Sequence, residues 1–572
     1  MTESQDNTIN ANLTPLPDRV GVDGLEDKWR GVWDESGVYK FQGTRDRKAV
    51  YSIDTPPPTV SGHLHVGHVF SYTHTDVIAR FKRMNGYDVA LVTGMDEHGQ
   101  KVAETAEAHD MTPQEWCDSM EPAFRDAWDL LNITYTDFVR TTDPRQTRTV
   151  QQFWQKLYDA GYLYKSAYEG WYCVHEETYY AESDLLKNED GEFVCPDCKR
   201  PVRRMSSGEE NWFFKLSEFQ EPLLKYYAEH PDFVRPETRK NEIVSFVEGG
   251  LQDLSISRST FDWGVPFTFD EGHVAYVWAD ALLAYFTGLG YADPERGDEF
   301  DRRWPLQYHF VGKDITRFHC VIWPAMLMAA GLPVANTVFG HGFLMTKGEK
   351  MSKSKGNGIM PADLVKVYGV DAYRYYFMSD VQFGHDGNIS IERMTQVYNA
   401  DLANTWGNLV SRVCNMVKKY YDFKVPQAPE SAVDNPLREI AEGLYAEYDK
   451  CMTDVDFTGA VAAVQKLAGR ANLYVEESAP WNLAKSEETA GELAAVIYNT
   501  LEAIRIIALY LAPFMPNTSA EVFRRLGLGD VAAITDIEAA TKWGQLPVGN
   551  TVEIGDPLFP RLDVDAIDLG IE

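Results

Sequence analysis

An α/β protein is expected, built on a doubly wound parallel sheet that an insertion interrupts and an all-α bundle follows. Three observations predict it. Around residues 49–94 two short apolar segments, AVYSID and DVALVTG, flank VFSYTHTDVIARFKRM, whose apolar positions recur at helical spacing. This strand, loop, helix, strand succession gives way to helices and loops between about residues 116 and 235 and then resumes. Beyond about residue 396 nearly every periodic segment is helical, as in a bundle.

In chain order, residues 1–23 are polar and read as a loose tail. LEDKWRGVWDESGVYKF opens the organised chain, with Trp29, Trp33 and Tyr39 at helical spacing. AVYSID is a strand, and the prolines and glycines of TPPPTVSGHLHVGH exclude regular structure until the helix begins at VFSY. DVALVTG is a buried strand, so residues 24–115 form the first half of the sheet. Residues 116–235 form the insertion, with a loop-rich island from Cys173 to Cys198. In residues 236–345, HVAYVWADALLAYFTGLGY, QYHFVGKD, FHCVIWPAMLMAAG and NTVFGHGF supply the second half. Residues 346–395 carry a basic loop, 396–540 form the helical domain and 541–572 a C-terminal extension.

At 572 residues the chain accommodates three or four domains. Hydrophobic residues at 44% and charged residues at 24% exclude the disordered and fibrous classes. No apolar run reaches the roughly 18 residues that span a bilayer, and the first twenty residues lack the core of a secretion signal. A cytoplasmic location without membrane attachment is therefore expected. Seven cysteines, scattered apart from Cys195 and Cys198, suit a reducing compartment. The net charge of −32, taken globally, argues against a nucleic-acid partner. A local basic track escapes that argument, because acidity elsewhere rejects non-specific RNA.

Two loops carry candidate chemistry. His65-Val66-Gly67-His68 stands after a strand and opens a helix, where backbone N–H groups and the positive dipole end make a phosphate site. Gly67 lets a nucleotide approach the backbone closely. Together with His63 the same residues also read as a metal cluster of a hydrolase, or as ordinary loop histidines. Far along the chain, Lys350-Met351-Ser352-Lys353-Ser354 follows a strand ending in GHGF. Lys350 and Lys353 can clamp a triphosphate and stabilise charge developing on departing pyrophosphate, unless the segment is a solvated basic turn.

Together these segments resemble the paired HIGH and KMSKS signatures of the class I aminoacyl-tRNA synthetases, and from about residue 90 onward the chain resembles the methionyl family. The resemblance implies a Rossmann catalytic domain, an anticodon-binding bundle, ATP with Mg2+, and methionine and tRNA(Met) as partners. It implies that His65 and His68 bind ATP and stabilise the transition state, that Gly67 adjoins the phosphates, that Gly312 and Asp314 of VGKD hold the ribose, and that Lys353 contacts pyrophosphate. Arg258 in SISR is a further triphosphate candidate, or a surface ion-pair member. Asp96 in GMDEHG would bind the substrate ammonium. Trp278, Ala281, Leu282 and Tyr285, with Ile315, Phe318 and His319, would line the methionine pocket, where aromatic walls suit a polarizable thioether. Asn408, Arg412 and Trp481 would read the anticodon by edge hydrogen bonds and stacking. Without the resemblance, the pocket aromatics and Trp481 would read as core.

One stretch departs from the pattern. SIDTPPPTVSGHLHVGHVFSYTHTDVIARFKRMNGYDV is similar to the valyl family, and Pro57 and Thr59 stand where the methionyl family usually has an apolar residue and a tyrosine beside the amino acid. The insertion is too short for the valyl editing domain, which favours methionine, since an apolar pocket discriminates one methylene poorly. Altered specificity for valine and a non-charging tRNA-binding paralogue remain the alternatives. Cys195-Pro-Asp-Cys198 is half of a zinc knuckle; Cys173 with His175 would complete a Cys3His site for Zn2+, and a metal-free turn is the other reading. A monomer is expected.

Overall fold

The computed structural model describes residues 25–167, 170–174, 178–180, 182–188, 191–196, 198–205, 210–346, 349–350, 359–429, 435–564 and 567. Its centre is a six-stranded parallel sheet of β1 (Val50–Asp54), β2 (Asp88–Met95), β3 (Asp137–Arg140), β4 (Val234–Arg235), β5 (Tyr308–Gly312) and β6 (Thr337–His341). The strands lie in the order β4-β6-β5-β1-β2-β3. Parallel strands covered on both faces are buried throughout, and all five residues of β1 are buried, the polar Ser52 and Asp54 included. Gly94 in β2 has a steric reason: a Cβ there would lie 1.9 Å from the Val139 carbonyl oxygen of β3.

From β1 the chain proceeds to β2 and β3, whereas from β5 it proceeds to β6 on the other side. The winding therefore reverses between β1 and β5, and a crevice opens at their carboxyl ends, where ligands of such sheets bind. The two halves differ from the expected boundaries. β3 and β4 both come from the span read as an insertion, so the excursion starts only after the helix Pro144–Asp159. Strands of four and two residues are too short to show a period. The excursion contains an antiparallel sheet of Leu163–Ala167, Glu210–Phe214 and Leu254–Ser255, and a smaller one of Gly170–Cys173, Thr178–Tyr180 and Arg203–Met205.

Helix α1 (Leu25–Ser36) buries Trp29 and Trp33. Tyr39, expected on the same helix, lies past its end but still meets Trp33 edge-on, with ring centroids 5.4 Å apart. Helix α2 (Val66–Met84) crosses from β1 to β2. The bundle comprises α3 (Asn408–Tyr421), α4 (Pro436–Thr453), α5 (Phe457–Ser478), α6 (Ala490–Leu511) and α7 (Pro516–Arg525). Contrary to the expectation that no segment matches a membrane span, Glu487–Leu511 is long and apolar enough to cross one; 94% of its apolar window is nonetheless buried in the protein. A helix apolar on every face is the core of a bundle. The charges that interrupt it are paired, Arg505 donating to Glu502 at 2.6 and 2.8 Å. Helix α1 packs against α7, with Lys28 Nζ 3.2 Å from Glu521.

Candidate active site

The histidine loop is built as a helix start. His65 is the N-cap of α2, with extended φ of −110° and ψ of 171°. Its Nδ1 accepts the Gly67 N–H at 3.1 Å, while its own backbone N–H donates to His68 Nδ1, also at 3.1 Å. This reciprocal capping starts the helix at Val66, earlier than the glycines and prolines suggested. The imidazole centroids lie 3.9 Å apart. A neutral ring whose Nδ1 accepts carries its proton on Nε2, so both histidines become N–H donors at the positive end of α2. His63 is exposed and outside this arrangement. The hydrolase reading is corrected accordingly: among the described residues the group able to hold a metal is a cysteine cluster elsewhere.

The basic loop is rooted beside these histidines. Strand Leu344–Thr346 pairs with Glu349–Lys350, Lys350 opposite Met345, and Lys353 lies outside the described residues. Where the chain is described again, the Ile359 carbonyl accepts the N–H of Val66 at 2.9 Å, the first residue of α2. Across the crevice, β5 ends in Gly312, where a Cβ would come 2.5 Å from Asp314 Oδ1. Glycine thus lets the exposed Asp314 fold back over the strand end. Lys313 is held by Asp386, both carboxylate oxygens 2.7 Å away. Burial opposes the Asp386 charge, but Lys313 and the Phe343 N–H hold its carboxyl below the ordinary range.

Asp96 follows β2 and is 5% exposed. The proline-rich loop zips onto it: Val60 N–H donates to the Asp96 carbonyl and Asp96 N–H to that of Pro58, both at 3.0 Å. Thr59 Oγ1 donates to the Asp96 carboxylate at 3.4 Å, and Pro57 is half-buried alongside. Tyr285 and His319 are buried, Tyr285 OH donating to His319 Nε2 at 2.7 Å and His319 Nδ1–H to the Ile315 carbonyl at 3.0 Å. Burial, then the nearby His309, pushes His319 down to about 3, so its ring is neutral. Tyr285 is driven well above its ordinary value by burial, then by Asp54, Tyr72 and Asp96. Trp278 stacks on Phe318 with centroids 4.0 Å apart, and Ala281 and Leu282 are buried behind.

Several supporting residues escaped the sequence reading. Beneath the pocket, His309 Nδ1 and Asp54 lie 2.8 Å apart, both fully buried. His98, two residues past Asp96, meets Asp280 at 2.5 Å, and Gln146 Nε2 donates to that carboxylate at 2.7 Å. The place of His98 within GMDEHG itself was the available signal; its partner, 182 residues away, gave none.

Arg258, the further triphosphate candidate, lies in the short strand Ser257–Arg258. It is 3% exposed, 4.5 Å from the Tyr276 ring and 5.5 Å from that of Tyr172, and it donates to the Ser257 carbonyl. Tyr172 belongs to the insertion, and Tyr276 stands two residues before Trp278 of the expected methionine pocket. In the bundle, the structure brings Arg412 and Trp481 together, the guanidinium 5.2 Å from the indole centroid. Asn408 lies one turn before Arg412 on α3 and is exposed, and Trp481 is 38% exposed rather than in the core. Arg412 also pairs with Glu476 at 2.5 Å.

Cys173, Cys195 and Cys198 have sulfurs within 4.8 Å of one another, those of Cys173 and Cys198 3.6 Å apart. Thiolates on a tetrahedral Zn2+ stand roughly 3.8 Å from each other at a Zn–S length of about 2.3 Å, so the donor set fits that ion. The neighbouring thiols hold Cys195 far below its ordinary value by hydrogen bonding to its thiolate. His175 lies outside the described residues.

The comparisons with known proteins agree across both regions. A family described as "tRNA synthetases class I (M)" matches residues 51–414, which includes the valyl-like segment, and the "anticodon binding domain of methionyl tRNA ligase" matches residues 403–568. A methionine–tRNA ligase of Streptomyces coelicolor is 46% identical over 91% of this chain and 98% of its own length. One from Caldanaerobacter subterraneus subsp. tengcongensis is 46% identical over 91% of this chain and 80% of its own. A solved structure of Mycobacterium tuberculosis methionyl-tRNA synthetase in complex with methionyl-adenylate superposes with a TM-score of 0.85, at 38% identity, covering 90% of this chain and 100% of that one. The chain belongs to the methionyl family of the class I aminoacyl-tRNA synthetases.

Proposed function

We propose that this protein is a methionine–tRNA ligase, which activates methionine with ATP and esterifies it to the 3′ end of tRNA(Met). The observation that carries the reading is the junction of Ile359 with Val66, which roots the basic loop against the capped histidines at the sheet's switch point. In the first step a methionine carboxylate oxygen bonds to the α-phosphorus of ATP and the bond to the β-phosphate oxygen breaks, giving methionyl-adenylate and pyrophosphate. His65 and His68 direct Nε2–H donors at the phosphates, and Gly67 gives them access. Lys350 and Lys353 neutralise the charge that grows on pyrophosphate, and Gly312 and Asp314 hold the ribose. Mg2+ accompanies ATP and shields its phosphates. In the second step a ribose hydroxyl of the tRNA attacks the activated carbonyl and AMP departs.

In this reading Asp96 holds the methionine ammonium, with Thr59 and Pro57 closing that end. Neutral His319, with Tyr285, Trp278 and Phe318, forms the wall for the thioether. Asn408, Arg412 and Trp481 read the anticodon; the exposed, cation-capped indole supports that assignment. Cys173, Cys195 and Cys198 would hold a structural Zn2+ at the small sheet of the insertion, and His175 of the expected Cys3His set lies outside the described residues. The protein acts as a monomer in the cytoplasm, a compartment that suits its free cysteines. The test is amino-acid-dependent ATP–pyrophosphate exchange with methionine and valine side by side, followed by charging of both tRNAs. Methionine should lead by at least tenfold in kcat/KM, since each methylene-sized group left unburied costs about 0.8 kcal/mol. Equal activation of valine with charging of its tRNA would overturn the assignment.

A further inference from the structure

Helix α2, whose first turn carries the histidines, is fastened at its middle by a wholly buried ionic hub. Asp76 Oδ2 accepts Arg80 Nε and Arg374 Nη2, each at 2.7 Å, and Asp76 Oδ1 accepts the backbone N–H and hydroxyl of Thr134 at 2.8 and 2.6 Å. Burial alone would penalise the Asp76 charge, yet Arg80 and Arg374 hold its carboxyl well below the ordinary range. Arg374, in the helix Val370–Ser379, spends its other donors on three carbonyls: Leu131 at 3.0 Å, Phe514 at 3.0 Å and Pro513 at 2.9 Å. Leu131 leads into β3, and Pro513 and Phe514 form the turn between α6 and α7. A second clamp runs parallel. Asp371 accepts Asn517 Nδ2 at 2.9 Å and the Thr518 N–H at 2.5 Å, while Asn517 Oδ1 accepts Asn132 Nδ2 at 2.9 Å.

Three parts of the protein meet at one guanidinium: the histidine-bearing helix, the segment after the basic loop, and the bundle that carries Trp481. A buried pair of this kind is weak support for stability, because desolvation offsets the attraction. It is strong support for a single geometry, since all three guanidinium nitrogens of Arg374 donate to fixed acceptors. Angle matters here. Helix α6 has 22 residues and so extends about 33 Å. A tilt of about 2° at the hub would move its far end by about 1 Å, a displacement that at a reaction centre can cost on the order of 10²-fold in rate.

Building on the proposed function, we propose that Arg374 is a positioning residue for tRNA charging, setting the angle between the anticodon bundle and the histidine helix so that a tRNA gripped at its anticodon presents its 3′ end at the crevice. Arg374→Lys keeps a cation beside Asp76 but loses the forked donors to Leu131, Pro513 and Phe514. In the full chain its methionine-dependent pyrophosphate exchange should stay within about threefold of the unaltered protein. Its kcat for charging tRNA(Met) should fall at least tenfold, with KM for the tRNA within about twofold. Asn517→Ala removes only the parallel clamp, leaves the ionic hub intact, and should show the same split more weakly; it also decides the matter if the lysine variant does not fold. Exchange and charging falling together, a rise confined to KM for tRNA, or undiminished charging in a folded variant would overturn the proposal. Absence of methionine-dependent exchange in the unaltered protein would instead sink the functional reading itself.

Discussion

The proposed function gives His65 a second role beside its cap, and two substitutions divide them. Its Nδ1 caps α2 by accepting the Gly67 N–H, and in the proposed function its Nε2–H donates to phosphate. His65→Asn retains an acceptor at the cap, because the Asn side-chain oxygen satisfies the same donor, but it has nothing at the Nε2 position. His65→Ala removes both. The lost cap should cost His65→Ala about 1 kcal/mol in urea unfolding, and His65→Asn only a few tenths. Loss of one preorganised donor to developing charge costs about 2.7–4 kcal/mol, or roughly 10²–10³ in rate. Both variants should therefore lose pyrophosphate exchange to a similar extent while differing in stability. Near-normal exchange by His65→Asn would refute the donor role and leave His65 as a cap. An exchange rate that tracked stability across the pair would refute it equally.

Trp481→Ala should lower charging of tRNA(Met) by roughly 1–3 kcal/mol of lost base stacking, leave pyrophosphate exchange unchanged and barely alter the melting temperature, given 38% exposure of the indole; a large stability loss would return Trp481 to the core. The purified protein should contain one zinc per chain by elemental analysis, and Cys195→Ser should lose it with increased proteolysis between residues 163 and 214; a metal-free protein equally resistant to protease would remove the knuckle. Burial first of all drives His74 and His319 to about 3, well below an unfolded value of about 6.5. Below pH 6.5 the unfolded chain takes up protons these rings refuse, so their contribution is complete above that pH and is lost on acidification toward pH 3. Each accounts for about 1.4 kcal/mol per pH unit. His74→Phe should reduce the slope of unfolding free energy between pH 6 and 4 by about that amount, and an unchanged slope would show that His74 is protonated in the folded state.

What was legible in the sequence was whatever depends on local spacing. The histidine loop could be placed at a helix start because strand, glycine and helix signals flank it within a few residues. The cysteine cluster was visible from Cys195 and Cys198 for the same reason. Strands β3 and β4 were missed because four and two residues show no alternation, and their pairing partners lie far off in the chain. Arg258 carried no local sign that Tyr172 and Tyr276 would enclose it. The hub was least legible of all. Asp76 and Arg80 look like an ordinary helix-surface ion pair four residues apart, and only the arrival of Arg374, 298 positions later, puts them in the interior. Tyr39 shows the converse error, a helical period that continued in sequence after the helix had ended.

The packing of α1 against α7 constrains how the protein can be made. Lys28 and Glu521, which join them, are separated by 493 positions. At about 5–20 residues per second, the ribosome takes roughly 25–100 s to pass from one to the other. Throughout that interval the face of α1 that meets α7 stays uncovered, and the apolar α6 emerges only near the close. The nascent catalytic half must wait with that face exposed, a natural client for a holding chaperone, until the last helices arrive and seal its beginning to its end.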